Sequence, residues 1–557
     1  MFALLVVLGM IGCGRAPSAP EAGGGGAAEV VAKVRPNVLL VSLDTVRPDH
    51  LGPYGYDRPT TPNIDRIAAE GVVFSHVWAQ APWTLPSHMS LFTSMLPSRN
   101  GVDSMQRVLP ESIVTLPQLM QRAGYDTAAL VNNGQMRGFK LWREFEVDTP
   151  QGACDHIVDQ SLDWLAQRQG EEPWFLFLHL FDAHDPYDPP AEFKRKFGST
   201  LSGEQARQLV WQARYPDRAI ENPDTLRQVI ASYDGEIAWM DRELGRLFSS
   251  LPPNTLIVLF SDHGEGFGEH GWMLHGATLY DEETRVALIM RLPQGAHGGT
   301  VVDAPAALLD VLPTMLSVCG IEPHDAATGI DLLPVVRGEP APRRVIVSET
   351  KAVLEGRILR SVIAGGHKLI YSLLDDAIEL YALGDEHRDL AGERHAMVDT
   401  LRAHLRANLA VEDYWLLTVR GGGKFELSLR AEGEDAGGAA LFIPSEFDPR
   451  RDALQVAPSG ESLSWWAYPS GGTKRLYVEW SPPDGGWALD VEHDDKRDPQ
   501  AVRLGAGGGS ASALPVTAGQ VTPPLAPGMM PQGADDAVGV WGTRHRSDAA
   551  TAERAPI

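Results

Sequence analysis

The sequence predicts an α/β protein whose core is a buried, largely parallel β-sheet flanked by helices. Three stretches carry that prediction. Residues 37–43 (NVLLVSL), 174–180 (WFLFLHL) and 255–260 (TLIVLF) are nearly continuous apolar runs of strand length, as expected of strands covered on both faces. Two of them lead straight into residues that can do chemistry, Asp44 after the first and the Asp262-His263 pair after the third; His184 follows closely behind the second. In open α/β sheets, ligands bind beyond the carboxyl ends of the strands.

The bulk properties bound the rest. A chain of 557 residues suggests several folding units, and 43% hydrophobic content supports a real core. The formal net charge of −25 argues against nucleic acid as a partner, because nothing would offset phosphate repulsion. It leaves room for a local cationic or metal pocket, since site chemistry is set locally. Three cysteines are too few for a disulfide framework; whether Cys154 and Cys319 pair or stay free is left open.

At the N-terminus, residues 2–11 form an apolar run too short to span a bilayer as a helix. It ends in Met10-Ile11-Gly12-Cys13, which resembles a bacterial lipobox with the lipid on Cys13. The positive charge usual at the start of a signal peptide is missing. A Gly/Ala/Pro-rich stretch over 14–32 reads as a tether. The expectation is an exported bacterial lipoprotein, held to a membrane through an acyl anchor on Cys13 only and facing periplasm or cell surface; a plain cleaved signal is the alternative. The chain then divides into a signal peptide (1–12), a lipidated tether (13–35), a catalytic domain (36–410), an accessory β-rich domain (411–505) and a low-complexity tail (506–557).

Taken in order, the first strand ends at Asp44, a candidate metal ligand or the cap of the following turn. Residues 61–69 read as a helix. The stretch 81–102, APWTLPSHMSLFTSMLPSRNGV, reads as a loop entering a helix: Pro86 suits a helix start, and small and apolar residues follow at roughly helical spacing. Thr84 falls just before that helix, where unpaired N–H groups and the positive dipole end favour an anion. It is either a nucleophile toward a phosphate or sulfate ester or an ordinary capping Thr. Residues 116–123 read as a helix and 127–131 as a short strand, followed by Asn132 and Asn133 in a turn. The long amphipathic helix 226–249 is expected to pack on the sheet with its acidic residues solvated. The third run delivers Asp262-His263, and glycines at 264, 266 and 268 give the loop backbone freedom. His270 and His275 come next; His275 is the better candidate, as general acid when neutral or as a charge holder when protonated. Residues 285–292 read as one strand, 344–348, 357–364 and 368–372 as strands of a small C-terminal subdomain, and 415–480 as strands separated by turns. Trp465, Trp466 and Trp480 fit a β-rich core better than a sugar platform. Past Ala506 the composition predicts disorder.

Thr84-Leu85-Pro86-Ser87-His88, closing on Pro97-Ser98-Arg99-Asn100-Gly101-Val102, resembles the signature of the sulfatase branch of the alkaline phosphatase superfamily, which begins Cys-x-Pro-Ser-Arg. The resemblance extends over about residues 36–395, through Asp44, His184-Asp185-Pro186-Tyr187, Asp262-His263 and His275. It implies an alkaline phosphatase-like three-layer α/β/α sandwich with a C-terminal subdomain. It also implies a divalent metal held by Asp44, Thr84, Asp262 and His263, with manganese or zinc favoured by the imidazole and calcium still open. Sulfatases convert their Cys or Ser to formylglycine, which Thr cannot become; Thr is the unmodified nucleophile of phosphodiesterases and phosphoglycerol transferases in the superfamily. Many sulfatases carry Asp-Asp where this chain has Asp44-Thr45. His184 would contact the ester oxygens, His275 stands where sulfatases commonly place a Lys, and His88 stands at the Arg of the signature, either orienting Thr84 or packing on the helix.

The resulting expectation is a metal-dependent hydrolase or transferase acting on a small, or glycan- or lipid-linked, phospho- or sulfo-ester through Thr84, with His184, His275 and His88 around it. The alternatives are a sulfuric ester hydrolase working without formylglycine and an inactive surface binding lipoprotein. Oligomeric state is not legible.

Overall fold

The computed structural model describes residues 35–103, 108–131, 154–168, 170, 172–352, 357–372 and 377–408, together with the backbone of strand segments at 141–144 and between 414 and 520. The signal, Cys13, the tether, Asn132 and Asn133, and most of the tail lie outside the described residues.

The central sheet contains β1 (Asn37–Leu43), β2 (Val72–Phe74), β3 (Asp126–Val131), β4 (Leu141–Glu144), β5 (Trp174–Leu180), β6 (Thr255–Ser261), β7 (Leu288–Arg291) and β8 (Thr300–Val302), in the spatial order β8-β2-β7-β6-β1-β5-β3-β4. β1 lies at the centre, parallel to β5 on one side and β6 on the other. β7 runs antiparallel to both β6 and β2, so the sheet is mixed. The expected single strand over 285–292 breaks at Ala287. Arg285 and Val286 pair with Val77 and Trp78 outside the main sheet, while the Ala287 N–H turns to the Ser261 hydroxyl at 2.8 Å.

Because strand side chains alternate faces, an all-apolar strand must be covered twice. Leu39, Val41, Leu176, Leu178, Ile257 and Leu259 pack on one side against α1 (Pro62–Ala69), the helix Cys154–Ala166 and the long helix Pro223–Phe248. Val38, Leu40, Phe175, Phe177, Val258 and Phe260 pack on the other, against α2 (Thr84–Thr93) and the helix Val311–Cys319. This is the three-layer α/β/α arrangement. Cys154 and Cys319 are buried free thiols.

The long helix corrects one expectation. Asp234, Glu236, Asp241 and Glu243 are buried rather than solvated; the first three satisfy groups on neighbouring elements, and Glu243 takes hydrogen bonds from Arg242 and Arg246 of its own helix. Asp234 takes hydrogen bonds from Tyr56 and an ion pair from Arg58 and lies 2.7 Å from the His50 ring. Glu236 accepts the Asp188 N–H at 2.7 Å. Asp241 accepts the N–H groups of Asn63 (3.0 Å) and Ile64 (2.8 Å) and the Asn63 side-chain amide (2.9 Å). It therefore supplies to the start of α1 the acceptor that a capping residue would give. Asp241→Ala leaves those donors unpaired and is expected to cost about 2 kcal/mol, read as a lowered urea midpoint; an unchanged midpoint removes this role.

Beyond the main sheet, Ile346–Ala352, Arg357–Ala364, His367–Ser372 and Ile378–Ala382 form an antiparallel four-stranded sheet in sequence order, covered by the helix His395–Asn408. The strands from Tyr414 to Leu504 form two further four-stranded antiparallel sheets; the side chains of Trp465, Trp466 and Trp480 lie outside the described residues. Within the tail expected to be disordered, Pro515–Val516 pairs with Gly519–Gln520, a local contact that needs no core.

Candidate active site

The register of the central strands assembles the site. Leu43 lies opposite Leu180 on one side and Ser261 on the other. Asp44 and Asp262 are the next residues on adjacent parallel strands and leave the sheet together. Ligand atoms of Asp44, Asp262 and His263 lie within 4.8 Å of one another, all fully buried. The backbone is held tightly to achieve this. Asp262 Oδ1 accepts the N–H groups of His263 (2.9 Å) and Thr45 (3.3 Å). Thr45 has φ 58°, a strained conformation for a β-branched residue. Tyr233 pins that turn, donating to the Thr45 carbonyl at 2.7 Å and accepting from the Arg47 N–H at 2.9 Å. Gly264 is obligatory: a Cβ there would lie 2.0 Å from the Glu282 carbonyl oxygen.

Thr84 opens α2, with Trp83 as the capping residue. Its half-buried hydroxyl lies 3.3 Å from Asp44 Oδ2 and 3.3 Å from His263 Nε2. Ser87, one turn on, donates to the Asp262 carbonyl at 2.6 Å, fastening the helix start to the end of β6. His88 lies beneath this turn, with Nδ1 2.9 Å from the Thr84 carbonyl and Nε2 2.9 Å from the Ser42 hydroxyl. Both its nitrogens are engaged by protein atoms and it is buried, so it holds the Thr84 peptide rather than meeting a ligand.

His184 and His275 stand on the open side, with ring centres 4.9 Å apart; His275 lies 4.4 Å from the His263 ring. His184 stacks on Phe181 and sets Nδ1 2.9 Å from the Asp185 carbonyl. His275 sets Nδ1 3.0 Å from Glu265 Oε1, and the other Glu265 oxygen accepts the Tyr187 hydroxyl at 2.9 Å. His270 does not join them. Its Nδ1 lies 2.7 Å from Glu282 and its ring stacks on Tyr280 at 3.8 Å. Although burial opposes it, the Glu282 carboxylate lifts His270 to about 9, which makes it a charged strut. The His270, Glu282 and Glu386 cluster is no metal site, because Lys368 lies 2.8 Å from Glu386 and already supplies the cation.

The electrostatics of the buried set call for a cation. Burial raises Asp44, but the His179 hydrogen bond and charge, with help from His263 and His184, hold it well below the usual carboxylate range. Asp262 moves the other way, pushed well up by burial and then by the Asp44 charge. Burial and the neighbouring His275 hold His263 down to about 3, and burial and His184 do the same to His275. With Nδ1 of His263 2.9 Å from the Gly264 carbonyl, its proton sits there and Nε2 presents a lone pair. That lone pair faces Asp44 Oδ1 at 3.7 Å and Asp262 Oδ2 at 3.5 Å. Both oxygens are buried and have no hydrogen-bond partner. Three lone pairs converging, two of them without a partner and the third near only the Thr84 hydroxyl, fit a divalent ion.

The sulfatase family model matches residues 36–321, and the model of the N-sulphoglucosamine sulphohydrolase C-terminal region matches residues 268–406. The chain belongs to the sulfatase family. Among its relatives is the uncharacterized sulfatase YidJ of Escherichia coli (strain K12), 25% identical over 446 residues, covering 68% of this chain and 87% of that one. The phosphonate monoester hydrolase of Agrobacterium radiobacter superposes with TM-score 0.56 at 22% identity, over 68% of this chain and 98% of that one. The structure of BT4656 with its substrate D-glucosamine-2-N,6-O-disulfate gives TM-score 0.56 at 21% identity, over 67% and 97%. The family match makes the chain a sulfatase-family hydrolase, and the structural likenesses show the shared fold; metal dependence is general in that family.

Two members of this sulfatase-family site escaped the sequence reading. His179 donates to Asp44 Oδ2 at 2.7 Å from within β5, where Ser42 is its register partner. The available signal was a single imidazole in WFLFLHL, since a polar group in a strand buried on both faces must find a partner. Glu265, directly behind His275, had no such signal, because an acid in a Gly-rich loop reads as exposed.

Proposed function

We propose that this protein cleaves a phospho- or sulfo-ester by in-line attack of the Thr84 hydroxyl. The observation that carries this reading is the Thr84 oxygen 3.3 Å from Asp44 Oδ2, at the start of a helix and beside two partnerless carboxylate oxygens. Asp44, Asp262, His263 and Thr84 would hold a divalent ion, for which two carboxylates and one imidazole favour manganese or zinc. Such an ion, when bound, supplies Lewis acidity that lowers the hydroxyl pKa and offsets charge on the ester oxygens. The chain's own groups do the rest. Asp44 accepts the Thr84 hydrogen bond and so aims the oxygen lone pair outward. The N–H groups of Thr84 and Leu85, which open α2, would meet the equatorial oxygens; Pro86 has none and the Ser87 N–H is taken by the Trp83 carbonyl. Thr84 Oγ1 bonds to phosphorus or sulfur as the ester oxygen leaves; the hydroxyl proton is released to solvent, and the leaving oxygen takes a proton from a water held by His275 and His184. Water or an acceptor alcohol then releases the Thr84 adduct.

An unmodifiable Thr favours phosphoesters, because its adduct has to be released by attack at the central atom, with no aldehyde hydrate to expel the group. The sulfuric ester reading keeps support from the family match and from the sulfated sugar named for BT4656. Aryl sulfate, phosphate monoester and phosphodiester substrates, given to protein of measured metal content and followed by intact mass after acid quench, separate the two. A Thr84 adduct of phosphoryl or sulfuryl mass is expected; turnover without any adduct at Thr84 removes this mechanism.

Glu265 fixes the His275 ring through Nδ1. Glu265→Gln is expected to lower kcat about 100-fold for alkyl esters and only about 3-fold for nitrophenyl esters, whose leaving group needs no proton. Equal losses on both classes would assign Glu265 a packing role.

We further propose that the protein is exported and anchored through Cys13, and that the sheets between 411 and 505 form an accessory unit. Palmitate labelling lost in Cys13→Ala tests the anchor.

A further inference from the structure

At the rim of the site stands Trp211, on the helix α3 (Gly203–Gln212). It is 46% exposed, one of three large exposed apolar side chains among the described residues. A lone exposed apolar side chain is ordinary, but this one is built into place. Its indole N–H donates to Asp185 Oδ2 at 2.8 Å, and Asp185 is the residue whose carbonyl holds His184. Arg207 Nε lies 3.8 Å from the same Asp185 oxygen with its side chain largely in solvent. The Arg214 guanidinium lies over the Trp211 ring at 5.0 Å. The Arg214 carbonyl accepts the Met273 N–H at 3.3 Å, two residues before His275. The indole is thus hydrogen-bonded to the loop carrying His184, with the Arg207 guanidinium in ion-pair range of the same carboxylate, and the Arg214 backbone is hydrogen-bonded to the loop carrying His275. In a chain of net charge −25, two arginines gathered around Trp211 and Asp185, next to His184, are a local exception.

We propose that Trp211, Arg207 and Arg214 form a subsite for the leaving group, selecting an alcohol on a saturated ring that carries a second anionic group. The indole offers a fixed flat surface to the C–H face of the ring. The guanidinium groups take the second anion, for which their planar forks are suited. Ordering the platform in advance spares the entropy of fixing it on binding. This subsite rests on the ester-cleaving reading for its position, but its occupancy is measurable without turnover.

The test uses full-length, metal-loaded Thr84→Ala protein and calorimetric titration with glucosamine carrying two, one or no sulfate groups. The disulfated ligand is expected to bind at least about tenfold tighter than the monosulfated one, with a preference that shrinks as salt rises. Adding Trp211→Ala or Arg214→Ala is expected to cut that preference to under about threefold, while Trp211→Phe keeps most of it. Melting temperatures of the variants separate lost recognition from lost folding. Equal affinity for the two sulfated ligands, an undiminished preference in the folded Trp211→Ala and Arg214→Ala variants, or no binding of any ligand overturns the proposal. If wild-type protein turns over none of the ester classes yet the preference stands, the Thr84 mechanism fails and the subsite survives.

Discussion

Replacing Thr84 with Ala is expected to lower kcat by about 10⁴-fold or more on every ester the protein cleaves, with the fold unchanged and most of the metal retained, because the hydroxyl is a neutral ligand that water replaces while both carboxylates and the imidazole stay. The size follows from the chemistry: removing a nucleophile removes the covalent route, leaving only substrate positioning and charge stabilisation around water. The retention of fold follows from the contacts. The Thr84 side chain is half-buried and makes two long 3.3 Å contacts, whereas the helix start is held by the Ser87 hydroxyl on the Asp262 carbonyl and by His88 on the Thr84 carbonyl. Those anchors do not involve the hydroxyl. Steady-state kinetics with metal analysis and circular dichroism check both halves. Turnover within tenfold of wild type in the variant would assign attack to some other group.

Asp262→Asn is expected to act in opposite directions on activity and on metal-free stability. With metal, one ligand oxygen is lost, and both metal content and activity fall, the latter by about 10³-fold. Without metal, the substitution removes one of two buried carboxylates that repel each other while keeping an oxygen to accept the Thr45 and His263 N–H groups. The new amide N–H can also meet the His263 Nε2 lone pair. The chelated variant is therefore expected to melt about 2–4 °C above chelated wild type near neutral pH. The pH dependence has a defined sign. Asp262 binds its proton more tightly when folded than when unfolded, so metal-free wild type loses stability as pH rises above the unfolded value of about 4. The variant lacks that contribution. A chelated variant that melts below wild type across this range would mean that the two carboxylates do not oppose each other.

The three central strands were readable because a strand covered on both faces has to be apolar throughout, and their polar exits stood out against that background. Thr84, Asp44, Asp262 and His263 were legible through spacing and motif, and the structure brings their side chains together. His88 was legible as a residue near Thr84, but only its two occupied nitrogens separate holding a peptide from touching a ligand. The acids of the long helix were misread, because amphipathic periodicity reports which face is apolar. It does not report that Asp241 meets the start of another helix from 178 positions away.

What the sequence determined alone was the layered α/β architecture, the family and the chemical types at the strand ends, since hydrophobic patterning and local motifs are properties of neighbouring residues. Tertiary structure alone decided that Leu43 stands level with Leu180 and Ser261, that His179 reaches Asp44, that Glu265 stands behind His275, and that Trp211 meets Asp185. Each of these depends on strand register or on contact between distant segments, and such contacts are fixed by packing of the whole core, which no local stretch encodes.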